Sequence, residues 1–418
     1  MSQRRVVITG LGTVNPIGNS IEDYWEGLKS GTSGIGRITN FDASDFPCQI
    51  AGEVKDFDPK EYMDHKDARR AARSTQFAIA ATTQAVADAG LPSTMPEPER
   101  TGVMIGTGVG GVEQIIWTDH ILREKSYRRL NPFQMPAGIP NIPAFQIAQA
   151  FQCLGPNNTT ATACAAGTLA VGDGTEMIRR GAADIVISGG TEAIVFDVTI
   201  AGFCAMRAIP FNYNDNPEKA SRPFDANREG FVLSEGAAIL VLEDLDHALN
   251  RGARIYAEVA GHASSSDGYH VAALKPDGLG PVRAMRWAVE DAGLELNDVD
   301  YINAHGTSTT LNDSIETLAI KKLFGERAYQ IPVSSTKSMT GHAMGAAGAL
   351  EAIACTLVVA HDIIPPTINY ETPDPECDLN YVPNEALNME INSTLSNSFG
   401  LGGQNACLVV KKYIQSDN

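Results

Sequence analysis

The sequence predicts an α/β protein with a buried, mainly parallel sheet. Three observations carry this. Short apolar and β-branched runs alternate with longer segments of helical period along the whole chain. Several of those runs are apolar throughout, which is how strands covered on both faces read. The second half of the chain repeats the theme of the first, and no linker or low-complexity stretch separates them.

In order, Arg4 to Ile8 is a β-branched run ended by Gly10, a strand. Ser20-Ile-Glu-Asp23 resembles a capping box opening a helix that stops near Gly31. Ala68 to Ala89 reads as one long helix closed by Gly90 and Pro92. Arg100 to Ile105 is a strand running into a glycine-rich turn. Thr159 to Ala163 is a short strand, and Ala165 to Arg180 a small-residue helix ended by Gly181. Asp184 to Ser188 and Ala237 to Leu242 are apolar strands. In the second half, Ile255 to Ala260, Val299 to Asn303, Pro332 to Ser335 and Cys407 to Lys411 read as strands. Leu279 to Ala292, Asp313 to Phe324 and Ala343 to Ala360 read as helices. Thr162-Ala-Cys-Ala-Ala-Gly167 starts a small-residue helix straight after a strand, and Ser338 to Gly348 does much the same. This hints at duplication, with a boundary near Arg251-Gly252 dividing the chain into 1–251 and 252–418.

Composition narrows the function classes. With 43% hydrophobic and 20% charged residues, 418 residues suffice for a large core and do not describe a disordered chain. A net charge of −18 argues against general nucleic-acid binding, which depends on neutralising phosphates. Seven scattered cysteines without a C-x-x-C fit reduced thiols in a cytosolic protein. The segment from Met1 to Arg5 leads into too few apolar residues for a signal-peptide core. Ala343 to Ala360 is uncharged except for Glu351 at its centre. It reads as a buried helix rather than a membrane span.

Cys164 is the first candidate for chemistry. A cysteine between strand and helix meets the free N–H groups and dipole of the helix N-terminus, which favour a thiolate and can hold an oxyanion. The bland alternative is an inert buried thiol. His305, in Asn303-Ala-His-Gly-Thr-Ser-Thr309, and His342, after Ser334-Ser-Thr-Lys337, both sit at strand or loop ends. One cysteine with two histidines also matches a zinc set, but no two of them are close in sequence. Gly106-Thr-Gly-Val-Gly-Gly111 fits a dinucleotide-binding turn without the acid expected about 20 residues on. We read it as a tight turn near a substrate path or subunit contact. Asn397-Ser-Phe-Gly-Leu-Gly-Gly-Gln404 is a glycine loop that lets backbone approach a ligand, or a surface turn before the last strand. Two basic runs, His65 to Arg73 and Arg123 to Arg129, stand out on an acidic chain and suggest an acidic partner.

Together these motifs resemble the β-ketoacyl-acyl-carrier-protein synthases of the thiolase superfamily, most closely the elongating type II synthase of bacterial fatty-acid synthesis. The resemblance spans nearly the whole chain. It rests on Val6-Val-Ile-Thr-Gly-Leu-Gly12, Thr162-Ala-Cys164, Ser221-Arg-Pro-Phe-Asp225, Glu229-Gly-Phe-Val232, His305-Gly-Thr-Ser-Thr309, Ser335-Thr-Lys-Ser-Met-Thr-Gly-His342, Pro365-Pro-Thr-Ile-Asn369 and Asn397-Ser-Phe-Gly400. It implies a thiolase-like, duplicated αβαβα five-layer sandwich, usually a cytoplasmic homodimer. It also implies an enzyme that joins an acyl group on Cys164 to malonyl-acyl-carrier-protein by decarboxylating Claisen condensation. The N–H groups of Cys164 and Leu401 would form the oxyanion hole. His305 and His342 would act on the malonyl thioester, with Lys337 ordering His342 electrostatically. Thr307 and Thr309 would bind the pantetheine arm. Phe203, Phe399, Gly400 and Leu401 would line the acyl site and its gate. Lys66, Arg69, Arg70, Arg128, Arg129 and Arg207 would dock the carrier protein. No cofactor and no metal is required for turnover, although Glu351, Asn303 and Asn397 match a structural cation site of some members. Neither nucleic-acid binding nor membrane insertion is expected.

Two departures are specific to this chain. The family's second gate aromatic is Leu401 here, and the stretch from His270 to Asp277 lacks the expected Thr. Two alternatives share the resemblance. One is a ketosynthase of a polyketide or specialised-lipid pathway. The other is a non-condensing chain-length-factor-like partner subunit, against which the presence of Cys164, His305, Lys337 and His342 argues.

Overall fold

The computed structural model describes residues 4–414. Met1 to Gln3, which open the segment too short for a signal core, lie outside them. Ten strands form the frame: β1 (Val6–Val14), β2 (Thr101–Gly106), β3 (Asn157–Thr160), β4 (Ile185–Glu192), β5 (Gly236–Asp244), β6 (Ala257–Ser266), β7 (Tyr301–Asn303), β8 (Val333–Ser334), β9 (Ser393–Gly400) and β10 (Gln404–Lys411). They are ordered β8-β7-β9-β10-β6-β1-β5-β4-β2-β3. Each set of five therefore runs third, second, fourth, fifth, first. The sets meet through a short antiparallel pairing of Val7 and Ile8 with Glu258 and Ala257.

Seven helices complete the layers: α1 (Ile21–Ser30), α2 (Arg73–Asp88), α3 (Ile142–Phe151), α4 (Ala166–Arg179), α5 (Leu279–Asp291), α6 (Thr310–Phe324) and α7 (Ala347–His361). Helix α2 covers the outer face of the first five strands, and α5, with α6 against it, covers that of the second five. Helices α4 and α7 lie between and touch strands of both sets. The result is a five-layer αβαβα stack. Strand β5 shows how continuous apolar runs serve it. Ala238, Leu240 and Leu242 join the central cluster with Leu350, Ile353 and Leu357 of α7. Ala237, Ile239 and Val241 join the outer cluster with Phe77, Ala81 and Ala85 of α2.

The duplication reaches the backbone of the central layer. A 3-10 turn, Ala163–Ala165, precedes α4, and another, Met344–Ala346, precedes α7. Both open on a residue with positive φ, Ala163 at 50° and Met344 at 43°. One step inside each helix is a glycine. A Cβ on Gly167 would stand 2.7 Å from the Ala349 nitrogen, and one on Gly348 would stand 2.1 Å from Thr168 Oγ1. Real Cβ atoms do not come that close, so the helices cross only because both positions are glycine.

Several expectations need correction. The sheet is mixed, with parallel pairs at its two ends and five consecutive antiparallel pairs in the middle. Apolar runs report burial on both faces, and burial is indifferent to strand direction. The long helix from Ala68 is broken: a single turn, His65–Ala68, is separated from α2 by Ala72 in extended conformation. There Arg73 turns inward to make two bonds to buried Glu235, at 2.7 and 2.9 Å. Of the stretch Asn397 to Gln404, Asn397 to Gly400 belong to the buried strand Ser393–Gly400, and only 401–403 form the turn before the last strand, with Leu401 and Gly402 exposed. The strand's serines hid it from an apolar-run search; Ser398 bonds Thr168 of α4 at 2.7 Å. The stretch Met344–His361 is long and apolar enough to cross a membrane, and it is packed inside the core. All seven cysteines are free.

Because Gly348 meets backbone as well as a side chain, Gly348→Ala is an overpacking lesion expected to cost about 1–3 kcal/mol. Chemical denaturation of variant and parent measures it, and an unchanged midpoint would refute the tight crossing.

Candidate active site

Cys164 sits in the turn before α4, 5% exposed, facing the turn before α7. Its Sγ lies 3.0 Å from His342 Nε2 and 3.6 Å from Met344 Sδ. The N–H groups of Leu401 and of Cys164 itself also point at the sulfur. Burial pushes the thiol up to about 11, against the opposing pull of the Leu401 N–H and the Lys337 charge. The thiolate expected from the helix N-terminus is therefore not the resting form. Desolvation outweighs the N–H groups, and a neutral thiol faces an imidazole.

The histidines are held by different devices. Backbone of His342 is pinned to the segment 232–234: its N–H donates to Val232 O at 2.7 Å, and its carbonyl accepts from Ser234 N at 3.1 Å. His305 follows β7, and its N–H and that of Gly306 both donate to buried Glu316, each at 2.8 Å. The rings lie 5.5 Å apart at 85°, with Phe231 against His342 and Phe399 against His305. Both imidazoles are held well below their usual pKa, first by burial and then by the Lys337 ammonium, so both are neutral. Lys337 is itself buried and ion-paired with Glu351.

The cavity over Cys164 has a volume of about 370 Å³. Phe203, His305, His342, Thr307, Thr309, Phe399, Gly400 and Leu401 line it, as does Arg207. Thr307 and Thr309 share a 2.9 Å hydroxyl contact on the loop after His305. Ala272 and Leu274 close another side, and the carbonyl of Val271 accepts from Gly402 N at 2.8 Å. The atypical stretch and the glycine loop thus form one wall. Lys66, Arg69, Arg128, Arg129 and Arg207 are exposed, and no ion pair engages them or Arg70 among the described residues. Arg70 stacks on Phe133 at 4.1 Å, which joins the first basic run to the segment after the second. Arg73 and Arg123 are spent on Glu235 and Asp119.

A profile of the β-ketoacyl synthase N-terminal domain matches residues 3–248, and one of the C-terminal domain matches 256–371. The chain belongs to the β-ketoacyl synthase family. It is 50% identical over 413 residues to the 3-oxoacyl-[acyl-carrier-protein] synthase 2 of Synechocystis sp., covering 99% of each chain. It is 48% identical over 414 residues to the protein so named in Staphylococcus aureus, covering 99% of this chain and 100% of that one. Among solved structures it resembles a type II polyketide ketosynthase in complex with its acyl carrier protein and bound to the hexaketide. There the TM-score is 0.91 at 35% identity, over 99% of this chain and 100% of that one. The stack is the thiolase-like fold of ketosynthases.

Other sequence readings resolve differently in this ketosynthase. Donor atoms of Cys164, His305 and His342 converge within 4.8 Å, so distance in sequence was no guide to a ligand set. A metal ion there would face the Lys337 charge that already acts on both rings. The turn at Gly106 does not offer its N–H groups to a phosphate: those of Gly108 and Val109 donate to Glu192. For the structural cation, Glu351 Oε2 and Asn303 Oδ1 are buried without a hydrogen-bond partner among the described residues, which suits a cation. Asn397 Oδ1 already accepts from Cys407 at 3.2 Å. Sequence reasoning missed Glu316 and Glu192. Glu316 carried a signal, since Ala319, Ile320 and Leu323 share its side of α6 and make it a carboxylate on an apolar face. Glu192, at the end of β4, carried none.

Removing a positive neighbour raises an imidazole pKa. Lys337→Met should therefore bring His305 and His342 into titration nearer neutral pH, seen by NMR of isotope-labelled histidines. Ring signals unmoved by the substitution would refute control by Lys337.

Proposed function

We propose that this chain is an elongating β-ketoacyl-acyl-carrier-protein synthase with Cys164 as its acyl-carrying nucleophile. The observation that supports this most is the meeting of Cys164 Sγ with His342 Nε2 at 3.0 Å under two backbone N–H groups. As the thiol attacks an acyl thioester, His342 Nε2 takes its proton. The N–H groups of Cys164 and Leu401 bind the oxyanion as it forms. The carbon–sulfur bond to the carrier breaks, the proton passes to the departing pantetheine thiolate, and the acyl group stays on Cys164. Malonyl-acyl-carrier-protein then enters along Thr307 and Thr309. His305 and His342, neutral under the Lys337 charge, donate to its thioester carbonyl. The malonyl carboxylate leaves as carbon dioxide, and the enolate attacks the acyl carbonyl. Cleavage of the Cys164 thioester leaves a β-ketoacyl chain two carbons longer. Phe203, Phe399 and Leu401 shape the acyl path.

We place the division of the chain at 251/252, so that the first half supplies the nucleophile and the second both histidines. Lys66, Arg69, Arg70, Arg128, Arg129 and Arg207 supply the face for an acidic carrier protein, five of them exposed and none ion-paired among the described residues. A homodimer in the cytoplasm completes the proposal. The large exposed side chains of Trp117, Met135, Ile139 and Phe145 support the homodimer. A structural cation would be held by the oxygens of Glu351 and Asn303 that are unpartnered among the described residues. The fatty-acid pathway is favoured over a polyketide one by the higher identity to the 3-oxoacyl synthases.

Half-reactions test the roles. Cys164→Ala should abolish condensation yet still decarboxylate malonyl carrier protein. His305→Ala and His342→Ala should each cost decarboxylation roughly 10²–10³. Condensation near the parent rate in Cys164→Ala would overturn the assignment.

A further inference from the structure

The duplicated fold contains the oxyanion-hole turn twice. Cys164 and Gly345 hold the same place in the two halves. Each is the second residue of a 3-10 turn, directly follows a residue of positive φ, and is separated from a central helix by a single alanine, Ala165 or Ala346. Around Cys164 the N–H groups face the sulfur and the acyl cavity. Around Gly345 the equivalent N–H is already taken: it donates to Glu192 Oε2 at 2.9 Å.

Glu192 is 0% exposed and makes no ion pair among the described residues. Its oxygens accept from Gly108 N at 2.6 Å, Val109 N at 3.3 Å and Thr107 Oγ1 at 3.2 Å as well. A Cβ on Gly108 would stand 2.5 Å from Glu192 Oε2, and one on Gly345 would stand 2.3 Å from Gly108 N. The carboxylate is thus enclosed by hydrogen-bond donors and by backbone that cannot retreat. Next along the chain from Gly345 is Met344, whose sulfur touches that of Cys164.

We propose that Glu192 is a positioning residue: its carboxylate fills the second copy of the oxyanion hole and so clamps the Met344–Gly345 turn against Cys164. This rests on Cys164 being the acylated nucleophile. It explains why a carboxylate without a cation partner persists in the core. An unfilled copy of the hole would leave the Gly345 N–H orphaned beside the nucleophile, and the turn carrying Met344 would lose its anchor.

Glu192→Gln tests it. The amide nitrogen must turn toward at least one N–H group, which breaks the clamp while conserving shape. Acylation of Cys164 from an acyl carrier protein should fall roughly 10- to 100-fold, the scale of a small misplacement at a reacting centre. Malonyl decarboxylation, which depends on the histidines, should stay within about threefold of the parent. Alkylation of Cys164 by iodoacetamide at pH 8 should instead quicken, because a negative charge that raises the thiol pKa is gone. Acylation and alkylation moving in opposite directions is a result that general loosening of the fold does not give. If Glu192→Gln fails to fold, Thr107→Val removes one donor while keeping the charge, and should slow acylation in smaller measure with malonyl decarboxylation and alkylation near the parent rates. Equal losses in both half-reactions, or both rates at the parent level, would overturn the role. A parent that alkylates at Cys164 but is never acylated would instead refute the nucleophile assignment, and with it this role.

Discussion

The crossing of α4 and α7 at Gly167 and Gly348 is the contact on which the rest of the molecule depends. The first half carries a thiol within its central turn, the second an imidazole two residues before its own, and neither half holds the pair. The crossing holds Cys164 Sγ within 3.0 Å of His342 Nε2. One extra methyl at either glycine would meet backbone of the opposite helix. The serine-rich strand β9 serves the same end, since Ser398 lets Thr168 approach without a bulky neighbour. Small residues that look uninformative along the chain are the ones that permit a shared site.

Burial then decides the chemistry. The same dry core that stabilises the sandwich pushes Cys164 up to about 11 and holds both imidazoles neutral. It lifts Glu192, Glu316 and Glu351 to about 7. Charges in such surroundings are costly unless fully bonded, and each of the three has a defined task. Glu316 holds the backbone of His305, Glu351 balances Lys337, and Glu192 binds the turn beside Met344. Through these bonds the three carboxylates fix the His305 backbone, the Lys337 ammonium and the Gly345 turn in place, an arrangement that keeps donors aimed without reorganisation.

Much of this was legible in the sequence, and the failures have physical causes. Cys164, His305, His342 and Lys337 stood out because reactive residue types sat at strand–helix junctions in recognisable motifs. The helix at Ser20 formed as read, with Ser20 accepting from Asp23 N and Gly31 in the left-handed region. Strand direction was misread because apolar runs encode burial alone. The break before α2 was missed because its cause, Arg73 bonded to Glu235, lies 162 residues away in sequence. The depressed thiol was a local inference overruled by depth, which a single sequence does not display. Glu192 was invisible for a related reason: its partners come from two distant turns, and only the fold shows that they surround one carboxylate.

The most direct test of a nucleophile shared between the halves is intact-mass analysis with peptide mapping after incubation with an acyl carrier protein. One acyl group per chain, found on the peptide containing Cys164 and lost when Cys164 is replaced by alanine, is the predicted result. A protein that condenses without ever carrying an acyl group, or carries it on another residue, would contradict the shared site.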